Sequence, residues 1–546
     1  MRVSRRAVVT STTAVALAVL VLGPALFRPG YVLVGDMVFV PDPPWKVSYL
    51  GLDGSLPRAV PTDALVWLLS TVVPGWVVQK MLLLLAVVLA VVGVQRLLSD
   101  LPAVARVAAS VAYVWTPYTH DRLAIGQWSL LVSIAALPWV ALAARRPVDR
   151  AKGATCLLAA LLVAAIFSPS GGVMAAAAAV ALVRSPRERL VAAGLGVAVN
   201  LPWLVPGFLS SAEAPTSAAA VEGFAARAES AAGLLPSLLA GGGIWKTSIV
   251  APERSHAAIV LVGALVAVGG LFALARRRDR EVIGLGVVAL LGLGLCLWTA
   301  AAPETVSDLL EAAPGLGIFR DTTRYLAPLS LLVALGWGTV VAWMLERPRH
   351  GAAAVAVVLV AVPPALLPSL AWAELGDLRP VDYPKQWYDV RAALQADPLD
   401  GPLVVRPWQG FYRRFDWNLD RAALDPAPRF FPGDVLVDDR VLLDNAVLPN
   451  EDPRARRITQ ILGRSDDPSE ALREAGVAGV LTESPAGLEL ERLGGAGRDD
   501  SVRLSSTERA VVLVGDLILA TLALVVLLWA RSDRYDRPTR EREPTI

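Results

Sequence analysis

The sequence predicts an all-α protein that crosses a membrane many times and carries a small α/β domain outside the membrane. Apolar residues make up 55% of the 546-residue chain and charged residues only 18%, and the mean hydropathy is +0.53. Soluble globular proteins carry about 25% charged residues, so this chain has too little polar surface for a water-soluble body of its length. Its two cysteines exclude a disulfide scaffold, and its net charge of +2 predicts no nucleic-acid partner.

About twelve apolar segments are candidates for membrane-spanning helices, because a bilayer core about 30 Å thick needs about 20 apolar residues per helix. They are 7–27, 75–95, 102–118, 129–145, 153–169, 171–185, 190–209, 256–275, 282–300, 325–345, 351–372 and 510–530. The short segments 102–118 and 171–185 could instead be broken or re-entrant. The first segment lacks a small-residue cleavage site, so we interpret it as a retained anchor rather than a signal peptide.

The distribution of basic residues predicts the orientation, since short cytoplasmic loops are enriched in Lys and Arg. Alternating spans from a cytoplasmic N-terminus place every strongly basic short loop on the cytoplasmic side. These clusters are Arg2, Arg5 and Arg6; Arg145, Arg146, Arg150 and Lys152; Arg184, Arg187 and Arg189; Arg276, Arg277 and Arg278; Arg347 and Arg349; and Arg531 and Arg534. We therefore predict a multi-pass protein of the plasma membrane with both termini in the cytoplasm.

This topology predicts four parts of the chain. They are a transmembrane core of about eleven helices (1–372) with extracytoplasmic loops 28–74, 118–128, 210–255 and 301–324, an extracytoplasmic α/β domain (373–509), a last transmembrane helix (510–530) and a cytoplasmic tail (531–546). The α/β prediction rests on strand-like runs at Pro402–Pro407, Gly433–Val437 and Gly476–Leu481, together with an amphipathic pattern around Ser469–Ala475. Cys156 and Cys296 both lie in predicted spans, where we expect apolar packing.

Ionisable residues inside spans are the usual candidates for function in membrane proteins, but here they are few, with Asp516 and Lys80 near span ends. Polar residues concentrate instead in the outer loops. The first outer loop holds Asp36, Asp42, Asp53 and Asp63 among prolines and aromatic residues. Such a carboxylate could act as general base on an acceptor hydroxyl or ligate a divalent metal, or it could cap a turn in a solvated loop. Asp36 is the first candidate because it follows Gly35 directly after the first span.

The second outer loop, TPYTHDRLAIGQWS, is short and held at both ends, which favours a preorganised polar site. In it, Arg122 could neutralise a phosphate, and Asp121 could act as a base or a metal ligand. His120 alone is typical of a surface histidine. The third outer loop contains Gly241–Lys246 (GGGIWK), which resembles a flexible lid.

The fourth outer loop ends with GLGIFRDTTRYLAP, in which Arg320 and Arg324 lie four residues apart with Asp321 between them. On a helical entry to the tenth span, the two arginines share a face. Two guanidinium groups at the level of the headgroups suit a lipid-linked phosphate or diphosphate. The alternative interpretation is anchoring to headgroups without turnover.

With these loops in view, the chain resembles the GT-C superfamily of polytopic glycosyltransferases, which use polyprenyl-phosphate sugars on the outer face of the membrane. The resemblance covers most of residues 1–345. It rests on the outer α/β unit and on three short motifs: Gly35-Asp36; Asp121-Arg122 followed by Gly126-Gln127; and Phe319-Arg320-Asp321 followed by Arg324. The last motif is similar to one in actinobacterial arabinofuranosyltransferase-like and YfhO-like membrane proteins, and the Lys-poor composition suits a high-GC actinobacterium.

The resemblance implies transfer of a sugar from a polyprenyl-phosphate donor to a cell-envelope glycan or lipid on the extracytoplasmic face. It implies catalytic roles for Asp36 and Asp121 and binding of the lipid phosphate by Arg122, Arg320 and Arg324. Supporting roles fall to Asp42, His120, Gln127 and Asp321. The first loop lacks the adjacent acidic pair of several metal-dependent members, so the sequence leaves open whether Mg or Mn is a cofactor.

The predicted outer domain is rich in aromatic residues and arginines, namely Tyr383, Trp387, Trp408, Phe411, Tyr412 and Trp417 with Arg406, Arg413 and Arg414. The rings could stack on a glycan acceptor, or they could pack this domain against the membrane core. Two other functions stay open. A transporter or flippase for a lipid-linked glycan predicts inverted repeats and midplane polar residues, and a noncatalytic scaffold of envelope biogenesis would need no intact site.

Overall fold

The computed structural model of the chain describes residues 5–210, 217–277, 279–346, 351–443, 447–464, 467–484, 487–495 and 504–535. Helices dominate this part of the chain. In chain order, the helices are α1 (Arg5–Phe27), α2 (Thr62–Ser70), α3 (Gly75–Leu97), α4 (Ala103–Val114), α5 (Pro117–Ala124), α6 (Trp128–Ile134), α7 (Leu137–Ala144), α8 (Ala151–Phe167), α9 (Pro169–Leu182), α10 (Pro186–Leu209), α11 (Ala218–Gly223), α12 (Leu234–Leu239), α13 (Ala257–Ala275), α14 (Arg280–Ala301), α15 (Pro303–Ala312), α16 (Ala327–Leu345), α17 (Ala352–Leu366), α18 (Ala371–Leu375), α19 (Lys385–Ala396), α20 (Ala427–Phe430), α21 (Pro453–Leu462), α22 (Ser469–Glu474) and α23 (Ser506–Tyr535). The strands are β1 (Leu403–Arg406), β2 (Tyr412–Arg414), β3 (Ala422–Leu424), β4 (Val435–Leu436), β5 (Val441–Leu442), β6 (Val447–Leu448), β7 (Gly479–Ser484) and β8 (Gly487–Arg492).

Among the described residues, seven helices are long and apolar enough to cross a membrane, namely α1, α3, α10, α13, α14, α16 and α23. The pair α17 and α18 is bent by 80° and adds an eighth span if it counts as one. A multi-pass membrane protein is thus confirmed, whereas the predicted count of about twelve spans is not. The remaining four predicted segments contain shorter helices. For example, α4 has 12 residues, and a helix of that length reaches only about 18 Å, well short of a bilayer core.

Ion pairs connect several basic helix ends at one end of the helix bundle. Arg145 donates to Glu281 at 2.8 Å, and Arg277 donates to Asp100 at 2.6 Å. These contacts join the loops that the sequence assigns to the cytoplasm. Arg2, Arg278, Arg347 and Arg349 lie outside the described residues. The cytoplasmic assignment of this end of the bundle stays a prediction.

The outer segment, defined as the described part of residues 373–495, contains a four-stranded sheet in the order β4-β1-β7-β8. Strand β1 runs parallel to β4 and β7, and β7 and β8 form an antiparallel hairpin. The three strand-like runs of the sequence contribute β1, β4 and β7, and α22 lies where the amphipathic pattern predicts a helix. Val404, Val480 and Leu472 are each at most 3% exposed and form its small core.

A second, two-stranded sheet of the outer segment packs against the first outer loop. Strands β2 and β3 are antiparallel, and Tyr412 pairs with Leu424. The backbone of β3 then continues onto the loop: Gly35 N–H donates to the Ala422 carbonyl at 2.8 Å, and Leu424 N–H donates to the Gly35 carbonyl at 2.9 Å. Backbone pairing of this kind fixes the register between the outer segment and the residue next to Asp36.

The aromatic residues of the outer segment divide between two roles. Trp387 is 1% exposed and stacks on Phe431, and Tyr383 meets Tyr31 of the first loop edge-on with ring centroids 5.4 Å apart. These rings pack the outer segment on the membrane core, so they are not an exposed platform for a sugar. Phe411 and Tyr412 instead line cavities next to Asp36.

Candidate active site

Two cavities with shared walls lie where the outer loops meet the outer segment. The main cavity, about 320 Å³ in volume, has polar walls of Asp36, Asp63, Gln127, Arg58, Arg320, Arg324 and Arg429. The side cavity, about 120 Å³, shares Asp36, Arg58, Gln127, Arg320 and Arg324 with it and adds Asp321 and Tyr412. The structure therefore brings together the first, second and fourth outer loops around one carboxylate. Helices α10 and α14, which begin at the basic end of the bundle, run toward the end that holds these cavities.

The main cavity also has an apolar wall that reaches the surface of the helix bundle. It includes Trp128, Phe167, Trp203, Leu204 and Phe208. Phe208 lies near the end of α10 and is 68% exposed. Charged groups and apolar side chains surround the same space, an arrangement that suits an amphipathic ligand.

Two glycines allow the first and second outer loops to touch at Asp36. Gly35 has φ of +48° and Gly126 has φ of +77°, a region that glycine adopts without steric penalty. A Cβ atom on Gly126 would lie 2.7 Å from the Asp36 nitrogen. This close approach lets Asp36 N–H donate to the Ile125 carbonyl at 2.9 Å, so the backbone of one loop places the carboxylate of the other.

The Asp36 carboxylate accepts one hydrogen bond on each oxygen. The Tyr412 hydroxyl donates to Oδ1 at 2.6 Å, and Gln127 Nε2 donates to Oδ2 at 3.3 Å. Gln127 is itself held by Arg122, whose Nη1 donates to Gln127 Oε1 at 2.8 Å. Asp36 remains only partly buried, so it is both oriented by its neighbours and open to a ligand in the cavity.

Arg122 lies beneath the cavity rather than on its surface. Its side chain is 2% exposed; its Nη2 donates to Thr323 at 2.6 Å, and its Nη1 lies 3.7 Å from Asp321. Among the described residues, Arg122 lines neither cavity, and its contact with a lipid phosphate stays a prediction. Arg122 instead ties the second loop to the fourth.

The two predicted arginines of the fourth loop both line the cavities. Arg324 Nε donates to Asp321 at 2.8 Å, and its side chain is 33% exposed. Arg320 lies over the Phe224 ring, 4.4 Å from its centroid, with 13% of the side chain exposed. Burial lowers the pKa of Arg320 to about 10, so this guanidinium still carries its charge at neutral pH.

Sequence reasoning missed two further arginines of the cavity walls and the contact of Tyr412 with Asp36. Arg58 forms an ion pair with Glu451 of the outer segment. Arg429 donates to Asp63 at 2.9 Å from the short helix α20. Together with Tyr412, these residues depend on contacts between distant parts of the chain, and no local motif marks them.

His120, Asp121 and Asp42, which the sequence placed in the site, do not line either cavity among the described residues. His120 Nδ1 and Asp121 Oδ1 are 3.3 Å apart, and both residues are buried. In the part of the chain that the structure describes, no group of three or more His, Cys, Asp or Glu side chains could hold a metal ion. Asp36 accepts hydrogen bonds from Tyr412 and Gln127, and Asp63 accepts from Arg429.

The arrangement of spans, outer loops and outer segment is that of a membrane protein with the GT-C fold, as the resemblance predicted. Arabinofuranosyltransferase AftD from Mycobacteria superposes with a TM-score of 0.57 and 18% identity, over 90% of this chain and 36% of AftD. A point mutant of AftD gives 0.56 and 19%, over 90% and 37%. An oligosaccharyltransferase from Archaeoglobus fulgidus aligns at 0.42 and 13%, over 87% and 68%.

The chain therefore shares its fold with AftD and spans a little over a third of that protein's length. No protein-family model and no curated protein sequence matches the chain.

Proposed function

We propose that the protein is an integral membrane glycosyltransferase that uses a polyprenyl-phosphate sugar as donor. It transfers the sugar to a hydroxyl group of a cell-envelope glycan or lipid on the extracytoplasmic face of the plasma membrane, with both termini in the cytoplasm. One observation carries the proposal: a single cavity at one end of the bundle sets the Asp36 carboxylate beside the guanidinium groups of Arg320 and Arg324.

The chemistry that this proposal requires is a displacement at the anomeric carbon of the sugar. The acceptor oxygen forms a bond to that carbon, the bond from the carbon to the phosphate oxygen breaks, and polyprenyl phosphate leaves with the electron pair. Asp36 accepts the proton of the acceptor hydroxyl. Arg320 and Arg324 stabilise the negative charge that grows on the leaving phosphate, since preorganised cations act most strongly in a partly dry site.

The apolar wall supports a donor with a hydrocarbon tail. Trp203, Leu204 and Phe208 follow one another on the outer half of α10. Pro202 and Pro206 lie inside the helix there, and each removes one backbone hydrogen-bond donor from it. A polyprenyl chain lying along this wall would place its phosphate toward the arginines.

The proposed function is tested with the full-length protein in liposomes and a panel of polyprenyl-phosphate donors that carry a radiolabelled pentose or hexose. Cell-envelope glycans and lipids serve as acceptors. The expected result is acceptor-dependent transfer of label from at least one donor. Movement of intact donor across the bilayer without transfer would support the flippase alternative and overturn the proposal. Absence of both transfer and movement with every donor would support a noncatalytic scaffold and would also overturn it.

Arg324→Gln is expected to lower kcat/KM for the donor by roughly 10–100-fold, through both a higher donor KM and a lower kcat. The substitution removes a charged hydrogen-bond donor from the phosphate, and such a bond contributes about 1.5–3 kcal/mol. Steady-state kinetics at varied donor concentration measure the effect. Arg473→Gln is a matched control, because Arg473 also pairs with an acidic residue three positions away but is exposed on α22. An unchanged donor KM in Arg324→Gln would show that this arginine does not bind the donor.

Glu451→Gln is expected to lower the donor KM by about fivefold. Glu451 is 4% exposed, pairs with Arg58 and holds its Oε1 3.8 Å from Arg320 Nη2. Its negative charge opposes an incoming phosphate at short range, by about 1 kcal/mol in an effective dielectric intermediate between protein and water. The measurement is donor KM at constant pH and salt, with Glu470→Gln as the control. A higher KM would show instead that Glu451 holds the arginines in place for the donor.

A further inference from the structure

The outer segment contributes a side chain to the proposed catalytic carboxylate. Tyr412 lies 376 residues from Asp36 in the chain, yet its hydroxyl donates to Asp36 Oδ1 at 2.6 Å. The other donor to this carboxylate, Gln127, is farther away at 3.3 Å and comes from the second outer loop. Tyr412 therefore makes the shorter of the two hydrogen bonds that orient Asp36.

Backbone pairing fixes where the Tyr412 hydroxyl lies. Tyr412 is directly opposite Leu424 in the β2–β3 sheet, and Leu424 N–H donates to the Gly35 carbonyl at 2.9 Å. Gly35 is the residue before Asp36, so one continuous run of backbone hydrogen bonds connects the tyrosine to the aspartate. A slip of one residue in this register would turn the ring to the other face of the strand.

The surroundings of the pair keep the phenol protonated and the carboxylate accessible. Burial and the nearby Asp36 carboxylate raise the pKa of Tyr412 well above its ordinary value. The Lys246 ammonium lies 4.7 Å from the centre of the Tyr412 ring. The other charged groups that line the cavities around Asp36 and Tyr412 are Arg58, Asp63, Arg320, Asp321, Arg324 and Arg429.

We propose that Tyr412 is the positioning residue of Asp36, so that the outer segment supplies part of the active site rather than a separate module. The inference rests on the proposed function. A hydrogen bond from the phenol holds one carboxylate oxygen and favours the ionised form. It leaves the second oxygen, which Gln127 contacts only at 3.3 Å, available for the proton of the acceptor hydroxyl.

The test is the pH dependence of kcat in the full-length protein. Tyr412→Phe keeps the ring and removes only the hydroxyl. We expect kcat at neutral pH to fall by roughly tenfold, as for loss of one hydrogen bond to a charged group, while the donor KM changes less than twofold. The acid limb of the pH profile should move to higher pH, because the ionised carboxylate has lost a donor. Site-specific 3-fluorotyrosine at position 412, a stronger donor, should move the acid limb to lower pH.

Tyr383→Phe is the matched control. Its hydroxyl also makes one buried hydrogen bond, to the Phe39 carbonyl at 2.9 Å, but it does not contact Asp36. Thermal unfolding in detergent verifies that both variants fold. An unmoved acid limb in the Phe and fluorotyrosine variants would overturn the inference, as would equal loss of kcat in Tyr383→Phe and Tyr412→Phe. Absence of transfer in the wild-type protein would instead overturn the proposed function, so the two failures are distinguishable.

Discussion

Asp36→Asn should lower kcat for sugar transfer by about 10³-fold and leave the donor KM within about twofold. An amide cannot accept a proton from the acceptor hydroxyl, and general-base catalysis contributes about 10²–10⁴ in rate. The side chain keeps its size, and its oxygen can still accept from Tyr412, so the cavity walls should remain in place. The measurement is initial rate at saturating donor and acceptor, together with donor binding by the inactive variant.

Asp53→Asn is the control for Asp36→Asn. Asp53 lies in the same outer loop, but its carboxylate is engaged with Ser55 and does not line the main cavity. We expect this variant to keep wild-type kcat. Full activity in Asp36→Asn would show that another group accepts the proton of the acceptor hydroxyl. The assignment of Asp36 as the base would then be wrong, even though transfer occurs.

Gly126→Ala should abolish transfer and lower the thermal stability of the protein in detergent. The new Cβ would fall within 2.7 Å of the Asp36 nitrogen and closer still to the Val34 carbonyl and the Met37 nitrogen. Rigid backbone atoms must therefore move, and the left-handed conformation adds about 1–2 kcal/mol for any residue with a Cβ. Both effects separate the first and second outer loops at the point where Asp36 is held. Thermal unfolding and the transfer assay measure them.

Gly241→Ala is the control that separates the energetic cost of the left-handed backbone from the steric overlap of the new Cβ at Gly126. Gly241 has φ of +85°, close to that of Gly126, but its nearest neighbour to a new Cβ would be Pro117 Cδ at 3.8 Å. This variant should lose about the same conformational energy and keep most of its activity. Equal loss of transfer in both variants would mean that the close approach at Gly126 does not position the site.

Sequence reasoning located the membrane spans where a helix is long, because hydropathy over about 20 residues depends only on local composition. It could not separate a spanning helix from a short one buried inside the bundle. The segments near 102–118 and 171–185 are as apolar as true spans, yet they form α4 and α9, with 12 and 14 residues. Tertiary packing, rather than composition, determines where the helices in such segments begin and end.

The same contrast applies to the site. Asp36, Gln127, Arg320 and Arg324 lie in short motifs beside spans, and the structure places all four on one cavity. Asp121 and Arg122 follow each other in sequence, but they lie on the helix α5, where consecutive side chains point about 100° apart. Both side chains are buried, and neither lines the two cavities among the described residues.

The contact of Tyr412 with Asp36 and the remaining arginines of the cavity could not be predicted from the sequence. Tyr412 reaches Asp36 only because β3 pairs with Gly35, and Arg429 reaches Asp63 only because α20 follows that strand. Strand register and loop closure over hundreds of residues leave no signal in a local window.

The pairing of Gly35 with β3 also determines when the surroundings of Asp36 can assemble during biosynthesis. A ribosome makes the first outer loop early, and that loop must wait for a partner strand that is translated hundreds of residues later. Nascent chains halted before position 424 would hold every membrane helix up to α17 and yet have no assembled centre. The surroundings of Asp36 can therefore assemble only after the chain has been synthesised past β3.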